Sequence, residues 1–553
     1  MINRINSTNT QTENNRNFGK NNVSFKGAET VLLSGLGWMK NNPAMGACAV
    51  DMGSMVIPRT VVETKDRGKQ SGIETFIREV SSLLIHATMG LVGYKAASAI
   101  SGEFNSKHKV NAQDIFASGD TIKNMSEIWT ESNENTSEFF EGFVKNIKGL
   151  NNTEWKSLSD KTQKKAAEEL IKLADQTEQS LRATGEDKEK FTEKAKNIKS
   201  LLIAEITKDT GANASYKLAK GKNSKEISGS LSELIDNAVS LSNAFKTKTK
   251  EQFPEFVKEL MRNKSVSTLL GLGITSLMCI SVQPINRMLT KKRTGNDGFV
   301  GVDTKENDNS KEFKALTAAA GIGFPIFAIS TIGCKPKDLL SNVQYNGKIP
   351  SLNQFKFVYG FTISSRLLAS RDGNELRESL IKDTLGFSTW LLFGDFVSKL
   401  ASRAMGGKKL INNPVSQDKK GLSYAKDWLM QSSVKSFEEL LLPEASKYEK
   451  DGKRLSLKEL YNNASQDTKK LVKKVAAAQM LGYLFSGVVL GLGIAKLNIF
   501  ITKHLHGRDK AHKQMNNELN TPVHQLDTNY LSNLAQKTSP VFKDFNYGHI
   551  RTN

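Results

Sequence analysis

Three uncharged apolar stretches constrain the fold of this chain more than any other feature. They cover residues 266–285, 315–334 and 475–495, and lysine or arginine flanks each of them on both sides. An α-helix needs about twenty apolar residues to cross a hydrocarbon core of about 30 Å, and flanking basic residues suit the headgroup region. A buried helix of a soluble protein is usually shorter and carries an occasional charge. We therefore predict an all-α, polytopic helical membrane bundle in which these segments span the bilayer.

The small residues and prolines of these stretches fit that prediction. Small residues allow helices to approach closely in lipid, and each stretch contains two glycines separated by one residue. Pro284 and Pro325 are tolerable inside such helices if neighbours satisfy the carbonyls that proline leaves without a donor. The three glycine pairs are Gly271 with Gly273, Gly321 with Gly323, and Gly491 with Gly493.

Further apolar segments are short or contain a charge, so the sequence leaves open whether each one spans the membrane, lies at its surface or belongs to a core. They are 28–39, 43–62, 80–100, 355–369 and 384–405. Ionisable residues inside a spanning helix are candidates for function. Asp51, His86, Arg366 and Asp395 qualify if their segments span the membrane. A pairing of Asp51 with His86, or of Arg366 with Asp395, would then make a structural ion pair or a proton or substrate relay.

Polar regions separate the apolar segments. Capping signals such as Ser230 with Glu233, followed by apolar residues at helical spacing, predict amphipathic helices, and alternating strand patterns are nearly absent. The predicted organisation is a disordered polar tail (1–27), apolar helical hairpins (28–101), a large polar helical insertion outside the membrane (102–264), two transmembrane helices with a basic connecting loop (265–335), further helices that include a possible membrane hairpin (336–405), a second polar helical region (406–474), a transmembrane helix (475–503) and a polar basic tail (504–553).

Two of the strong apolar stretches end in the same pattern. An internal repeat would explain the match. So would helix-end chemistry, because Asn and Thr can bond the last carbonyls, Lys opposes the helix dipole and Gly ends the helix. The weaker segment 43–62 ends similarly, with Pro58, Thr64, Lys65, Arg67 and Gly72. If all three exits face one side, loops 64–78 and 287–314 lie together, in the cytoplasm by the positive-inside rule, and both polar regions lie opposite. The matching residues are Asn286, Thr290, Lys291 and Gly295 in one segment and Asn498, Thr502, Lys503 and Gly507 in the other.

Charge and motifs narrow the partners. The net charge is +21, but the chain lacks the arginine and aromatic clusters expected of a base-reading protein. We therefore expect the lipid bilayer and its anionic headgroups as partners, a possible protein partner through residues 102–264, and no nucleic acid. The three cysteines lack metal-ligand spacing, and the phosphate-loop, HExxH and GxSxG motifs are missing. We predict no cofactor, no metal and no enzymatic activity.

Short motifs near the N-terminus resemble those of one group of proteins. They are Asn-Asn-Val-Ser-Phe-Lys-Gly at 21–27, Asn-Pro-Ala-Met-Gly at 42–46, and Ile-Pro-Arg-Thr-Val-Val at 57–62. They resemble uncharacterised helical proteins of gut bacteria among the non-photosynthetic relatives of cyanobacteria, and the resemblance implies no activity. The expected function is a structural or interaction role in a membrane. A transporter or channel is the first alternative, and a soluble helical interaction protein is the second.

Overall fold

The computed structural model describes residues 26–151, 154–212, 215–219, 225–295, 300, 308–389, 394–413, 415, 420–445 and 448–505. The chain divides into two compact units, Met1–Ala495 and Lys496–Asn553. Nearly all of the predicted tails, 1–27 and 504–553, lies outside the described residues.

The N-terminal segment and the insertion contain ten helices and one small sheet within the described residues. The strands form an antiparallel sheet of order β2-β1-β3-β4, in which Lys148 pairs with Lys217. The elements are α1 (Lys26–Asn41), α2 (Pro43–Val50), a π-helical turn (Asp51–Val56), α3 (Ile57–Arg67), α4 (Lys69–Ile100), α5 (Gly102–His108), a 3₁₀ turn (Ala112–Asp114), α6 (Gly119–Glu131), α7 (Thr136–Asn146), β1 (Ile147–Asn151), β2 (Glu154–Ser157), α8 (Asp160–Arg182), α9 (Gly185–Thr210), β3 (Tyr216–Leu218), β4 (Ile227–Gly229) and α10 (Leu231–Phe245).

The remainder is also helical, with two two-stranded ribbons, β5 with β6 and β7 with β8. The predicted all-helical fold is therefore confirmed for the described residues. The elements are α11 (Phe253–Thr294), α12 (Lys311–Ser330), a 3₁₀ turn (Pro336–Asp338), α13 (Leu339–Asn342), α14 (Leu352–Leu368), α15 (Gly373–Ser388), α16 (Gly394–Gly406), a 3₁₀ turn (Gly407–Lys409), β5 (Ile411–Asn412), α17 (Gly421–Gln431), β6 (Ser433–Val434), α18 (Phe437–Leu441), β7 (Glu449–Lys450), β8 (Lys453–Arg454), α19 (Leu457–Asn463), α20 (Gln466–Ser486) and a π-helical turn (Gly487–Gly493), after which the helix continues to Leu505.

Four helices of the described residues are long and apolar enough to cross a membrane. They are α4, α11, α12 and the continuous helix Gln466–Leu505. Three of them contain the strong apolar stretches, although α12 ends at Ser330, four residues before the predicted end. In the weaker segment 384–405, α15 ends at Ser388, α16 begins at Gly394, and residues 390–393 lie outside the described part of the chain. The segment 43–62 contains the π-helical turn between α2 and α3.

Helices α4 and α11 form a long antiparallel pair. At one end Ser101 Oγ donates to Asn263 Oδ1 at 2.9 Å, and at the other Asn286 Nδ2 donates to the carbonyl of Glu74 at 3.4 Å. Between these contacts, a Cβ atom on Gly271 would lie 2.9 Å from the α4 backbone. The glycine therefore permits the close approach that its sequence pattern predicted.

The proline of α11 is compensated by a neighbouring helix. Pro284 has no N–H, so the carbonyl of Ile280, four residues earlier, loses its helical donor. The hydroxyl of Ser365 on α14 donates to this carbonyl, with 2.7 Å between Oγ and O. The neighbouring donor that Pro284 was expected to need is therefore present.

The proline of α12 is compensated by the adjacent serine of α14. Pro325 leaves the carbonyl of Gly321 without its helical donor, and Ser364 Oγ donates to it at 2.6 Å. The helices are also tightly packed here, because a Cβ atom on Gly360 would lie 2.9 Å from the Ala328 side chain. Two consecutive serines of α14 thus connect α11 and α12, and they donate to both carbonyls that the prolines leave without a helical donor.

The two polar regions lie on the same side of the bundle. Tyr448 of the second region donates its hydroxyl to Glu205 on α9 at 3.1 Å, and Lys208 Nζ donates to the carbonyl of Ala445 at 2.9 Å. Burial, aided by Glu205, raises the pKa of Tyr448 to about 12, so this hydroxyl stays protonated. On the opposite side, Arg293 Nε donates to Gln70 Oε1 at 2.7 Å. The end of α11 therefore lies beside the start of α4.

Helix α11 has polar residues inside and apolar residues outside. Its buried face carries Thr275, Gln283 and Asn286, whereas Leu277 and Met288 are 68% and 62% exposed. The same outward placement of large apolar side chains recurs on the other candidate spans. Exposed examples are Leu84 and Leu91 on α4, Leu316, Ile322 and Ile326 on α12, and Leu481, Leu484 and Val488 along α20 and the following turn.

Candidate functional site: a buried ionic network

Charged side chains of α3, α4, α14 and α15 meet inside the end of the bundle that faces away from the polar regions. Glycines permit the α3–α4 hairpin, since Gly68 has a φ of +94° and a Cβ atom on Gly72 would collide with Thr64. We call this cluster the ionic network. It consists of Arg59, Glu63, Arg67, Glu74, Arg78, Glu79, Arg366, Arg371, Glu375, Glu378, Lys382 and Asp383.

The spacing of these residues along each helix explains why they meet. Residues four apart lie on the same face of a helix, and α3 presents Arg59, Glu63 and Arg67 in this way. Glu74 and Arg78 follow the same rule on α4. On α15, Glu375, Glu378 and Lys382 recur three or four residues apart and Asp383 follows directly, so the charges of each helix form a stripe that faces the neighbouring helices.

Arg366 connects the deepest members of the ionic network. Its guanidinium contacts Glu79 at 2.7 Å and Asp383 at 2.9 Å, so it joins α14 to α4 and α15. Two more guanidinium groups lie near Glu79, those of Arg59 at 3.7 Å and Arg78 at 3.5 Å. Carboxylates taken out of water are expensive unless they are paired and hydrogen-bonded. Removal of Arg366 would therefore leave two buried acids with weakened partners.

Two further pairs close the ionic network toward its outer end. Both terminal nitrogens of Arg67 donate to the carboxylate of Glu378, at 2.5 and 2.8 Å. Arg371 holds Glu375 at 2.9 Å through Nε, and its Nη2 reaches Glu74 at 2.8 Å. Such two-pronged arginine–carboxylate contacts are directional as well as strong. They fix the α3–α4 hairpin against α15.

The charges of the ionic network balance. Six of its members are cations and six are carboxylates, and Asp51 lies beside them in the π-helical turn. Asp51 is only 4% exposed, and its Oδ1 has no hydrogen-bond partner among the described residues. It therefore supplies one buried acidic group beyond the balanced set.

The predicted ion pairs are wrong in their partners. His86 is buried, but its Nδ1 lies 2.5 Å from the carbonyl of Ser82 and not against Asp51. Asp395 is 56% exposed in the first turn of α16 and pairs with Lys399 at 2.6 Å. Arg366 binds Glu79 and Asp383, as described above. The physical reason is that Asp383 on α15 lies closer to Arg366 than Asp395 on α16 does. The part of α15 that carries these charges belongs to none of the apolar segments in which the sequence suggested partners.

The predicted exit residues of α11 have separate local roles. Asn286 donates to the backbone of α4, and Thr290 is fully buried. Gly295 adopts the left-handed conformation, with φ +73°, and its N–H donates to the carbonyl of Lys291 at 2.7 Å. The matching Asn498, Thr502 and Lys503 lie on the helix of the second unit, and Gly507 lies outside the described residues.

The free space within the ionic network is small. A cavity of about 20 Å³ lies among Glu63, Arg67, Glu74 and Arg78 on one side and Glu378 on the other. This is room for about one water molecule. The described residues contain no cluster of three or more His, Cys, Asp or Glu side chains that could hold a metal ion. The arrangement can join helices and hold a proton or a water molecule.

Comparisons with known proteins identify no relative from which a function could be inferred. No protein-family model matches the chain, and no curated protein or solved structure matches it at a significant level.

Proposed function

We propose that this chain is a multi-pass integral membrane protein with a structural or interaction role. In this proposal the helical bundle anchors the protein, and the insertion of residues 102–264 presents a folded surface on one side of the membrane. The observation that carries the proposal is the placement of large apolar side chains on the outside of the candidate spans and of polar side chains inside.

The lengths of the spans support an orientation perpendicular to the bilayer. Along α11, the two polar contacts at Asn263 and Asn286 are 23 residues apart, or about 34 Å at 1.5 Å per residue. The exposed side chains between them include Leu269 and Leu277. A hydrocarbon core is about 30 Å thick, so the apolar exterior matches the layer that it would occupy.

The ionic network supports an anchoring role over a transport role. Arg67 and Arg371 attach α15 to the α3–α4 hairpin, and Arg366 attaches α14 to both. Fixed contacts of this kind stabilise one arrangement of helices. The cavity beside them has room for about one water molecule, which is far less than a solute pathway requires.

Fractionation of cells that express the full chain tests membrane insertion. We expect the protein to stay in the membrane pellet after an alkaline carbonate wash and to dissolve only with detergent. Recovery in the soluble fraction would favour the alternative of a soluble helical interaction protein.

Two cysteine substitutions test the arrangement of the two sides. Lys292→Cys lies after α11, at the end of the bundle that holds the ionic network, and Lys188→Cys lies in the insertion. A membrane-impermeant maleimide applied to intact cells should label only one of the two, and both after lysis. The parent chain, with its three native cysteines, gives the background. Equal labelling of both variants in intact cells would contradict the proposal.

A transporter is the second candidate, and Asp51 favours it. A buried acid without a hydrogen bond to its Oδ1, next to a balanced set of charges, is a candidate proton or cation site. Proteoliposomes with the parent chain and with Asp51→Asn distinguish the two functions. Proton or cation flux that the substitution abolishes would establish transport, whereas the structural proposal expects no flux in either.

A further inference from the structure

A groove runs along the outside of the bundle between α11 and α14. Its volume is about 500 Å³, within the range of ligand sites. The small side chains of Ser365 and Ala369 leave this space open beside Pro284. We call it the α11–α14 groove, and its lining consists of Ile280, Pro284, Arg287, Met288, Lys291, Ser365, Leu368 and Ala369.

The lining of the groove is chemically polarised along its length. Ile280 lies within the uncharged stretch of α11, whereas Arg287 and Lys291 lie beyond its end. From Ile280 to Lys291 the helix rises by eleven residues, or about 16 Å. The lining includes two cations, and no acid among the described residues. The groove therefore changes from an apolar floor to a cationic end in the direction that leads out of the predicted hydrocarbon layer.

We propose that the α11–α14 groove binds an anionic phospholipid. Its acyl chain would lie along Ile280, Met288 and Leu368, and its phosphate would meet Arg287 and Lys291. Basic pockets between helices at the membrane surface recognise anionic headgroups in this way. Arginine suits the phosphate through its planar set of donors, and lysine adds a point charge. This inference rests on the proposed membrane function and adds a selective lipid to it.

A lipid in this position would act on the contacts that hold the bundle. Ser365 lines the groove and also donates to the carbonyl of Ile280. A bound acyl chain would cover this hydrogen bond and exclude competing water from it. Occupancy should therefore raise the thermal stability of the bundle, because a ligand that binds only the folded state stabilises that state.

Titration with two lipids tests the proposal. The full chain, purified in a neutral detergent, is titrated with short-chain phosphatidylglycerol or with phosphatidylcholine, and the unfolding temperature is followed. We expect only phosphatidylglycerol to raise it. Arg287→Gln with Lys291→Gln should weaken phosphatidylglycerol binding about thirtyfold, since each surface cation contributes about fivefold. Inorganic phosphate alone should have no effect, because it lacks the acyl chain.

A matched control separates a built site from a generally basic surface. Lys292→Gln with Lys314→Gln removes the same charge from exposed positions near the spans, outside the groove lining. This double variant should bind phosphatidylglycerol like the parent chain. Equal loss in both double variants, or an equal response to both lipids, would overturn the proposal while leaving membrane insertion intact. A chain that is recovered in the soluble fraction would instead overturn both.

Discussion

The insertion and the helical bundle differ in the polar groups that they bury and in the apolar groups that they expose. The insertion has an apolar core built around Trp129 and Phe139, and its helices turn lysine and glutamate outward. The bundle also has an apolar core, which includes Phe324, Phe355 and Phe387, but it buries ion pairs as well and exposes leucine and isoleucine on the outer faces of its candidate spans. Water selects the first arrangement. The second is the arrangement expected if the bundle lies in a hydrocarbon layer, as proposed above, because exposed apolar groups cost nothing there.

The two regions also differ in the contacts between their helices. Aromatic rings pack edge to face in both, as Trp129 does against Phe139 in the insertion and Phe324 against Phe387 in the bundle. The bundle adds buried ion pairs between helices, and Arg366 makes two of them. Substitutions at matched positions in the two regions should therefore have effects of different size and sign.

The largest effect is expected at Arg366. Arg366→Met leaves Glu79 and Asp383 buried without their closest cation, and the loss of one partner of a buried pair costs about 3–5 kcal/mol. The free energy of unfolding in detergent should fall by this amount. Arg182→Met removes a guanidinium from an exposed pair in the insertion and should leave the unfolding midpoint unchanged.

A triple variant sharpens that prediction. Glu79→Gln and Asp383→Asn, added to Arg366→Met, remove both acids together with the cation. The triple variant should be more stable than Arg366→Met alone, because the two side chains that lost their closest cation are no longer charged. If it is less stable, the uncompensated carboxylates are not the source of the cost.

The second prediction compares two leucines. Leu170 is fully buried in the insertion, and Leu170→Ala should cost about 2–5 kcal/mol of unfolding free energy through the lost contacts and the cavity. Leu277 on α11 is 68% exposed, and Leu277→Ala should change the unfolding midpoint little. Thermal unfolding of both variants in detergent is the measurement. A large loss for Leu277→Ala would indicate a protein contact on this face in place of lipid.

The third prediction concerns one of the glycine pairs. Gly271→Ala would place a Cβ atom 2.8 Å from the Tyr345 ring and should cost about 1–3 kcal/mol. Gly273, two residues away on the same helix, has no neighbouring atom within 4 Å of such a Cβ. Gly273→Ala should be neutral or slightly stabilising, because alanine favours helix. Equal costs at both positions would show that helix packing does not distinguish them.

Sequence patterns predicted the helices and part of their arrangement. The uncharged stretches predicted the positions of α11, α12 and the last helix. Pro284 and Pro325 predicted that neighbouring side chains would donate to the carbonyls four residues earlier, and α14 supplies these donors. These features follow from local chemistry, which a single stretch of chain records. The first glycine of a pair could not be told from the second, because which of them meets a neighbour depends on how the helix is rotated.

The ionic network was only partly predictable. Arg366 was identified as an ionisable residue within an apolar segment, but its partners Glu79 and Asp383 lie in segments that appear amphipathic or polar. A spacing of three or four residues predicts that charges lie on one face of a helix, but it does not predict which helix that face contacts. The small sheet was also missed, because a strand as short as Tyr216–Leu218 is too brief to show an alternating pattern.

The smallest effect, and the most specific test of the bundle, concerns Ser365. Ser365→Ala leaves the carbonyl of Ile280 without a donor and should cost about 0.6–1.7 kcal/mol, as polar contacts between membrane helices do. Pro284→Ala restores a backbone N–H to this turn of α11, so the serine is no longer needed. In a double-mutant cycle measured by unfolding in detergent, Ser365→Ala should therefore cost less in the Pro284→Ala background than in the parent. Equal costs in both backgrounds would mean that the hydroxyl stabilises α14 in some other way, and that the proline of α11 is tolerated without its help.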